Sequence, residues 1–243
     1  MRDDECRPRQ ISSSLAITNR ELAETRIRLA QETEAERKRI SRDLHDQTLA
    51  DLRHLLVAID QIPPAGPSPT SPSQLRNDVE MISNEIRHIC EDLSPSVLAN
   101  VGLLPALEWA LSDCVSHLPQ ERKFDYEFIA EAGIEESLSL TPTEQIQIYR
   151  ILQEAISNAS RHAEAAHVRL SIKRRNKADS IIELEDDGKG FDSEIGSNKT
   201  GYGLANIRSR ADIIGAQVSW VRRAPHGCVF TLLKANCVAS SPE

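Results

Sequence analysis

The stretch PPAGPSPTSPS at 63–73 packs five prolines into eleven residues. Proline has no backbone donor and a fixed φ, so a helix cannot cross it. Both flanks nevertheless read as helix. From about Asn19 to Ile62 there is no Gly or Pro, and Glu, Arg, Leu and Ala dominate. Leu49, Leu52, Leu56 and Ile59 recur at steps of 3, 4 and 3. After the break, Leu75, Val79, Ile82, Ile86, Ile89 and Leu93 follow 4-3-4-3-4. These are seams of helices that pack on helices. Two such helices joined by a turn form an antiparallel hairpin. Each stripe is narrow, and one hairpin would leave part of it wet. Two hairpins make a four-helix bundle, so a homodimer is expected.

Stepping four residues back from Leu49 along the first seam reaches His45, flanked by Asp43 and Asp46. A packed bundle histidine with two solvated carboxylates is one reading. An imidazole presented for chemistry is the other: its ordinary pKa leaves it mostly neutral and nucleophilic at pH 7. Asp46 could accept the proton of one ring nitrogen and aim the other.

The pattern changes after Pro95. VGLLPALEWALSDCV (101–115) reads as a helix with Pro105 in its first turn. KFDYEFIA (123–130) alternates like a strand. TPTEQIQIYRILQEAISNASRHA (141–163) is helical, with Thr141 and Glu144 spaced as a capping box. HVRLSIKRR and SIIELEDD read as paired strands, NIRSRADIIGA as a helix, and AQVSWVRR and CVFTLLK as two closing strands. The sum is an α+β protein: a helical hairpin followed by an α/β sandwich with mostly antiparallel strands. The expected boundaries are a tail at 1–18, the hairpin at 19–95, a connector helix at 96–121, the sandwich at 122–236 and a tail at 237–243.

Composition narrows the function classes. The net charge of −8 and 4% aromatic content supply neither the cationic patch nor the stacking platforms of a nucleic-acid binder. Cys6, Cys90, Cys114, Cys228 and Cys237 are odd in number and form no C-x-x-C, so neither a disulfide framework nor a zinc site is suggested. No run of 18 apolar residues exists, and MRDDECRPRQISSS lacks a signal-peptide h-region. A cytoplasmic protein with reduced thiols is expected.

Four motifs lie between 150 and 210. Glu154 and Asn158 in EAISN share a helix face, with Arg161 and His162 about a turn further on. An amide oxygen suits Mg²⁺, which takes few protein ligands. A solvated polar face is the alternative. DDGKGF (186–191) ends an apolar strand. Its glycines allow close backbone approach, and a fixed carboxylate there could accept from an exocyclic amino group. A plain Asp-Gly hairpin turn is the alternative. In GYGLANIRSR, Gly201 and Gly203 precede a helix whose first amides could hold phosphate. Between the two glycine motifs, DSEIGSNKT (192–200) has the composition of a mobile lid. GKGFDS and GYGLAN imitate a dinucleotide fingerprint but lack the parallel βαβ setting, and GSNKT lacks the glycine spacing of a P-loop.

N-x-x-x-H, D-x-G-x-G and G-x-G-L in that order resemble the ATP-binding (GHKL, or Bergerat) domain shared by histidine kinases, DNA gyrase, Hsp90 and MutL. ERKRISRDLHD (36–46) resembles the phosphoacceptor box of sensor histidine kinases. LSPSVLANVGLLPALEWAL (93–111) is similar to the connector of the nitrate/nitrite-sensor-like branch. The resemblance spans about 34–236. It implies Mg-ATP, with Asn158 on the metal supported by Glu154, and His162 and Arg161 near phosphate. Asp186 would hold the adenine amino group, with Gly188 and Gly190 giving close approach. Gly201 and Gly203 would hinge the lid, backed by Leu204. His45, oriented by Asp46, would accept the phosphoryl group and pass it to an Asp on a response regulator, one with a helix-turn-helix output. A sensor, if any, would be upstream or on another chain. Two positions depart from the family: Asp187 stands where Asn is usual, and Ala50 stands where D-x-x-x-Q has its Gln. Rival readings are a Ser/Thr kinase of the anti-sigma type, a non-catalytic dimeric adaptor, and a conformational ATPase.

Overall fold

A computed structural model describes residues 6–61, 72–176, 179–190 and 202–235. Most of the proline-rich turn, the expected lid at 192–200, Phe191 and Gly201 lie outside the described residues. The chain divides into two compact units, Met1–Ser96 and Val97–Glu243, so the connector helix groups with the sandwich.

The first unit is a helical hairpin. Helix α1 (Cys6–Asp43) begins well before Asn19 and runs into a π-helical turn, Leu44–Thr48, followed by α2 (Leu49–Asp60). Helix α3 (Pro72–Leu93) returns antiparallel. Leu49 and Ile59 of α2 and Val79, Ser83 and Cys90 of α3 are buried. Asp60 and Arg76 pair across the hairpin near its turn. The inward stripe of α3 differs from the one read from apolar spacing. Val79 and Ile86 are shared, but Ser83 and Cys90 complete it, while Leu75, Ile82 and Ile89 are 40%, 47% and 44% exposed. One helix covers only one groove of its neighbour. Ser83 enters that groove by donating its hydroxyl to the Val79 carbonyl at 2.8 Å.

The second unit layers helices on a five-stranded sheet. Its elements are α4 (Ser96–Val101), α5 (Leu103–Ser116), β1 (Asp125–Ala130), α6 (Ile134–Leu138), α7 (Pro142–Asn158), β2 (His167–Arg174), β3 (Asp179–Asp186), α8 (Tyr202–Ile213), β4 (Ala216–Arg222) and β5 (Cys228–Ala235). The strand order is β1-β2-β3-β5-β4. Only β1 and β2 are parallel, and α6 and α7 supply the crossover a parallel pair requires. In register, Ile182 of β3 lies between Ile172 of β2 and Leu232 of β5. All three point into the core with Leu107 and Leu111 of α5, Ile151 and Leu152 of α7, and Ile207 of α8.

Helix α7 starts where the Thr141–Glu144 capping box places it, with both reciprocal hydrogen bonds formed. Lys234, 6% exposed on the core side of β5, reaches Glu144 at 3.0 Å. Burial alone would raise the Glu144 carboxyl, but the Thr141 backbone N–H and Lys234 hold it below the usual range. The box therefore ties the start of α7 to the sheet. Among the described residues, no helix is long and apolar enough to cross a membrane.

Candidate functional site

The histidine of the first unit is not on the packing seam. Its side chain is 66% exposed, and Leu44 occupies the half-buried position instead. The cause is the π turn: the Leu49 N–H bonds the Leu44 carbonyl, five residues back, so the turn holds one residue more than an α turn. His45 Nδ1 lies 3.3 Å from Asp46 Oδ1. That contact favours the Nδ1–H tautomer and leaves the Nε2 lone pair facing water. Ala50 is exposed one turn away and offers no polar group.

In the second unit, β3 delivers Asp186 side chain inward and Asp187 outward, as strand alternation demands. Asp186 is 8% exposed. Its Oδ1 accepts the N–H of Gly188 at 3.0 Å and of Cys228 at 3.3 Å, and Oδ2 has no hydrogen bond among the described residues. Burial pushes this carboxyl up, and the two N–H groups only partly offset the rise. The Cys228 thiol beside it is pushed up to about 11, by burial and then by Asp186. The result is a rigid carboxylate with one free acceptor, next to a neutral thiol.

Asp187, which stands where the resembled family has Asn, bonds the protein itself. Its Oδ1 accepts the N–H of Ala166 at 2.8 Å and of His167 at 2.9 Å, and its Oδ2 meets His167 Nδ1 at 2.9 Å. It pins the start of β2. It lines a cleft of about 240 Å³ with His167, Asp125 and Arg169, on the sheet face opposite Asp186. Its negative charge is thus spent on protein donors.

Three close approaches fit the glycines to the site. A Cβ on Gly188 would come within 2.1 Å of the Ala163 carbonyl oxygen, and the Lys189 N–H bonds that same carbonyl at 2.8 Å. The strand end is therefore fastened to the π turn Ala159–Ala163 that follows Asn158. Gly190, at φ +82°, faces the Gly227 carbonyl. At Gly203 a Cβ would meet Glu154 Oε1 at 2.1 Å and lie 3.7 Å from Asn158 Nδ2. Glu154 and Asn158 thus converge under the first turn of α8. Leu204 beside them is half-buried. Carboxylate and amide oxygens side by side suit a hard cation that keeps several of its waters. The far end of α8 is held by Arg210, whose Nη1 donates to buried Gln147 at 2.6 Å.

Arg161 and His162 lie on the exposed π turn beyond Asn158. Arg122 Nη2 donates to the Ser160 and Arg161 carbonyls at 2.8 and 3.1 Å, bracing that turn. The structure thus gathers Glu154, Asn158 and Gly203 at one point, and Asp186, Gly188 and Gly190 at another. Sequence reasoning missed Gly227 and Cys228. Gly227 has φ +103°, and a Cβ there would lie 1.9 Å from the Asp186 carbonyl. The only signal was His-Gly-Cys opening a strand opposite Asp186.

Comparison with known proteins bears on the fold. Residues 143–236 match the family model of the histidine kinase-, DNA gyrase B- and HSP90-like ATPases. The blue-light activated histidine kinase EL346 of Erythrobacter litoralis is similar at 16% identity and TM-score 0.50, over 79% of this chain and 64% of that one. Histidine kinase AdeS of Acinetobacter baumannii aligns at 20% identity and TM-score 0.44, over 80% of this chain and 98% of that one. The ATP-binding domain of PrrB from Mycobacterium tuberculosis aligns at 20% identity and TM-score 0.42, over 55% and 93%. Residues 143–236, and with them every site residue of the second unit predicted from sequence, carry the fold of the histidine kinase-, DNA gyrase B- and HSP90-like ATPases.

Proposed function

We propose that the chain is a two-component protein histidine kinase of the nitrate/nitrite-sensor-like branch. It phosphorylates its own His45 from ATP and passes the group to an aspartate on a response regulator in the cytoplasm. The observation that carries this reading is a solvent-facing His45–Asp46 pair in the same chain as an ATPase-type fold. Asp186 would accept the adenine amino group on Oδ2, its other oxygen being committed to backbone donors. Asn158 and Glu154 would hold Mg²⁺, which when bound neutralises phosphate charge. Gly203 and Leu204, with Gly201, would place the first turn of α8 against the phosphates, near Arg161 and His162.

In the transfer, the His45 Nε2 lone pair attacks the γ-phosphorus. The bond to the β–γ bridging oxygen breaks, and ADP leaves with that electron pair. The Nδ1 proton stays on the ring, donated in a hydrogen bond to Asp46, whose negative charge balances that of the phosphorylated ring. The phosphoryl group then moves from Nε2 to a regulator carboxylate. Exposed Leu75, Ile82 and Ile89 would be covered by a second copy, giving the dimeric bundle. With Ala50 in place of Gln, nothing at that position can orient a water, so weak phosphatase activity towards the regulator follows.

The test is incubation with γ-labelled ATP and Mg²⁺. An acid-labile, base-stable label is expected, absent from His45→Ala and from Asn158→Ala. An acid-stable label would identify a Ser/Thr kinase instead. Label persisting on His45→Ala would move the acceptor elsewhere.

A further inference from the structure

The helix carrying His45 is built from two halves that are out of phase. Before the π turn, the half-buried residues are Ala30, Glu34, Arg37, Ser41 and Leu44, at steps of 4, 3, 4 and 3. After it, the inward residues are Leu49, Leu52, Leu56 and Ile59. Thr48, at the end of the turn, is still half-buried, but an α-helix continuing the first pattern would also turn Asp51, Leu55 and Ala58 inward, and these are exposed. One extending the second backwards would turn His45, Arg42 and Lys38 inward. The patterns differ by one residue, or 100° of helix rotation. The turn Leu44–Thr48 absorbs that residue by bonding the Leu49 N–H to the Leu44 carbonyl.

A π turn is a rare geometry and survives where both flanks are anchored. The downstream flank is held by buried Leu49 and Ile59. The upstream flank is held by a reciprocal clamp on α3. Ser41 Oγ donates to the Cys90 carbonyl at 3.0 Å, and Cys90 Sγ donates to the Ser41 carbonyl at 3.4 Å. Ser41 lies one turn before His45.

We propose that Ser41, Cys90 and Leu44 are positioning residues for His45. They hold α1 in the rotational phase that makes the following turn π, and so keep the acceptor ring in solvent. If α1 slips by one residue, the turn becomes α, the clamp opens, and His45 rotates into the seam with α3. This rests on the reading of His45 as the acceptor, but its geometric part can be measured without ATP.

The experiment uses the full chain and diethyl pyrocarbonate. His45 carbethoxylation is followed by peptide mass spectrometry, with exposed His54 as the internal reference. The double variant Lys38→Leu/Arg42→Leu makes the alternative seam apolar. Its His45 should react at least fivefold more slowly, with His54 unchanged. Autophosphorylation should fall by a similar factor and nucleotide binding should hold. Deleting Thr48 removes the extra residue and brings both seams into one α phase with Leu44 inward. Its His45 should react within twofold of the native rate. A native rate in the double variant, or a protected ring in the deletion, overturns the proposal. A protected ring in the double variant together with a native chain that never labels supports the rotation and sinks the kinase reading instead.

Discussion

Two glycines of the second unit separate folding from binding. At Gly203 the intruding neighbour is the end of the Glu154 side chain, which can swing away. Gly203→Ala should therefore leave the thermal midpoint within about 2 °C, since the added methyl meets only a mobile carboxylate. It should weaken ATP at least tenfold, because Glu154 and the first turn of α8 can no longer share their place. A fluorescent-nucleotide titration checks this. At Gly227 the neighbour is the Asp186 carbonyl, which is backbone, and φ is +103°. Gly227→Ala should cost about 2–4 kcal/mol of stability, because strain and clash act together. Asp187 is a third residue-scale case. Burial would raise its carboxyl, but the His167 N–H, the His167 ring and the Ala166 N–H overcome this and hold it low. A depressed folded value means the contribution is fully present above the unfolded value of 3.8 and is lost as pH falls from there through the lower folded value. Asp187→Ala should cost about 1 kcal/mol at pH 7, modest because the side chain is partly exposed. The gap from the native chain should close below pH 3.8. Fluorescence of Trp109 and Trp220, both in the second unit, reports the transition. Asp187 also marks where sequence reading stopped. Its departure from the family pattern was visible, but its partners are 20 and 21 residues away, at and just before the start of β2.

At the scale of elements, legibility followed signal length. The strands of the sandwich alternate over six to eight residues, and each was readable from period 2. The start of α7 was readable because Thr141 and Glu144 form a local, reciprocal motif. Thr141→Ala should cost about 1 kcal/mol and lower the second unit's midpoint by about 3 °C, leaving nucleotide affinity of the folded protein unchanged. A thermal melt beside the same titration separates the two effects. Helix α6 was not readable, since five residues are too few for periodicity, although Ile134 and Leu138 at its ends are wholly buried. The two π turns were equally hidden. Leu44–Thr48 left only an apparent slip between Leu44 and Leu49, which resembled drift in a heptad. The slip turns the ring outward, so an imidazole expected on the seam stands beside it.

Across the whole molecule, the wet stripe on α3 sets the argument for pairing. Leu75, Ile82 and Ile89 repeat every seven residues and remain 40%, 47% and 44% exposed, so each has about half its apolar surface left to bury. At roughly 1 kcal/mol for each remaining half, six side chains over two copies supply about 6 kcal/mol. Association costs about 4–15 kcal/mol before any contact is counted, so the stripe alone sits near the margin and one buried charge there is decisive. Ile82→Glu, at the centre of the stripe, should shift the protein from dimer to monomer in light scattering. The inward face of α3 uses Val79, Ser83, Ile86 and Cys90, so the hairpin itself should persist by circular dichroism. ATP binding should persist too, because every residue proposed to hold the nucleotide lies in the other unit. If one copy's nucleotide must reach the other copy's His45, autophosphorylation should fall with the dimer and become second order in protein. If transfer runs within one chain, the monomer should label at the native rate. The same variant therefore measures both the stripe and the path of the phosphoryl group. A dimer that survives Ile82→Glu would place the pairing surface elsewhere on the hairpin.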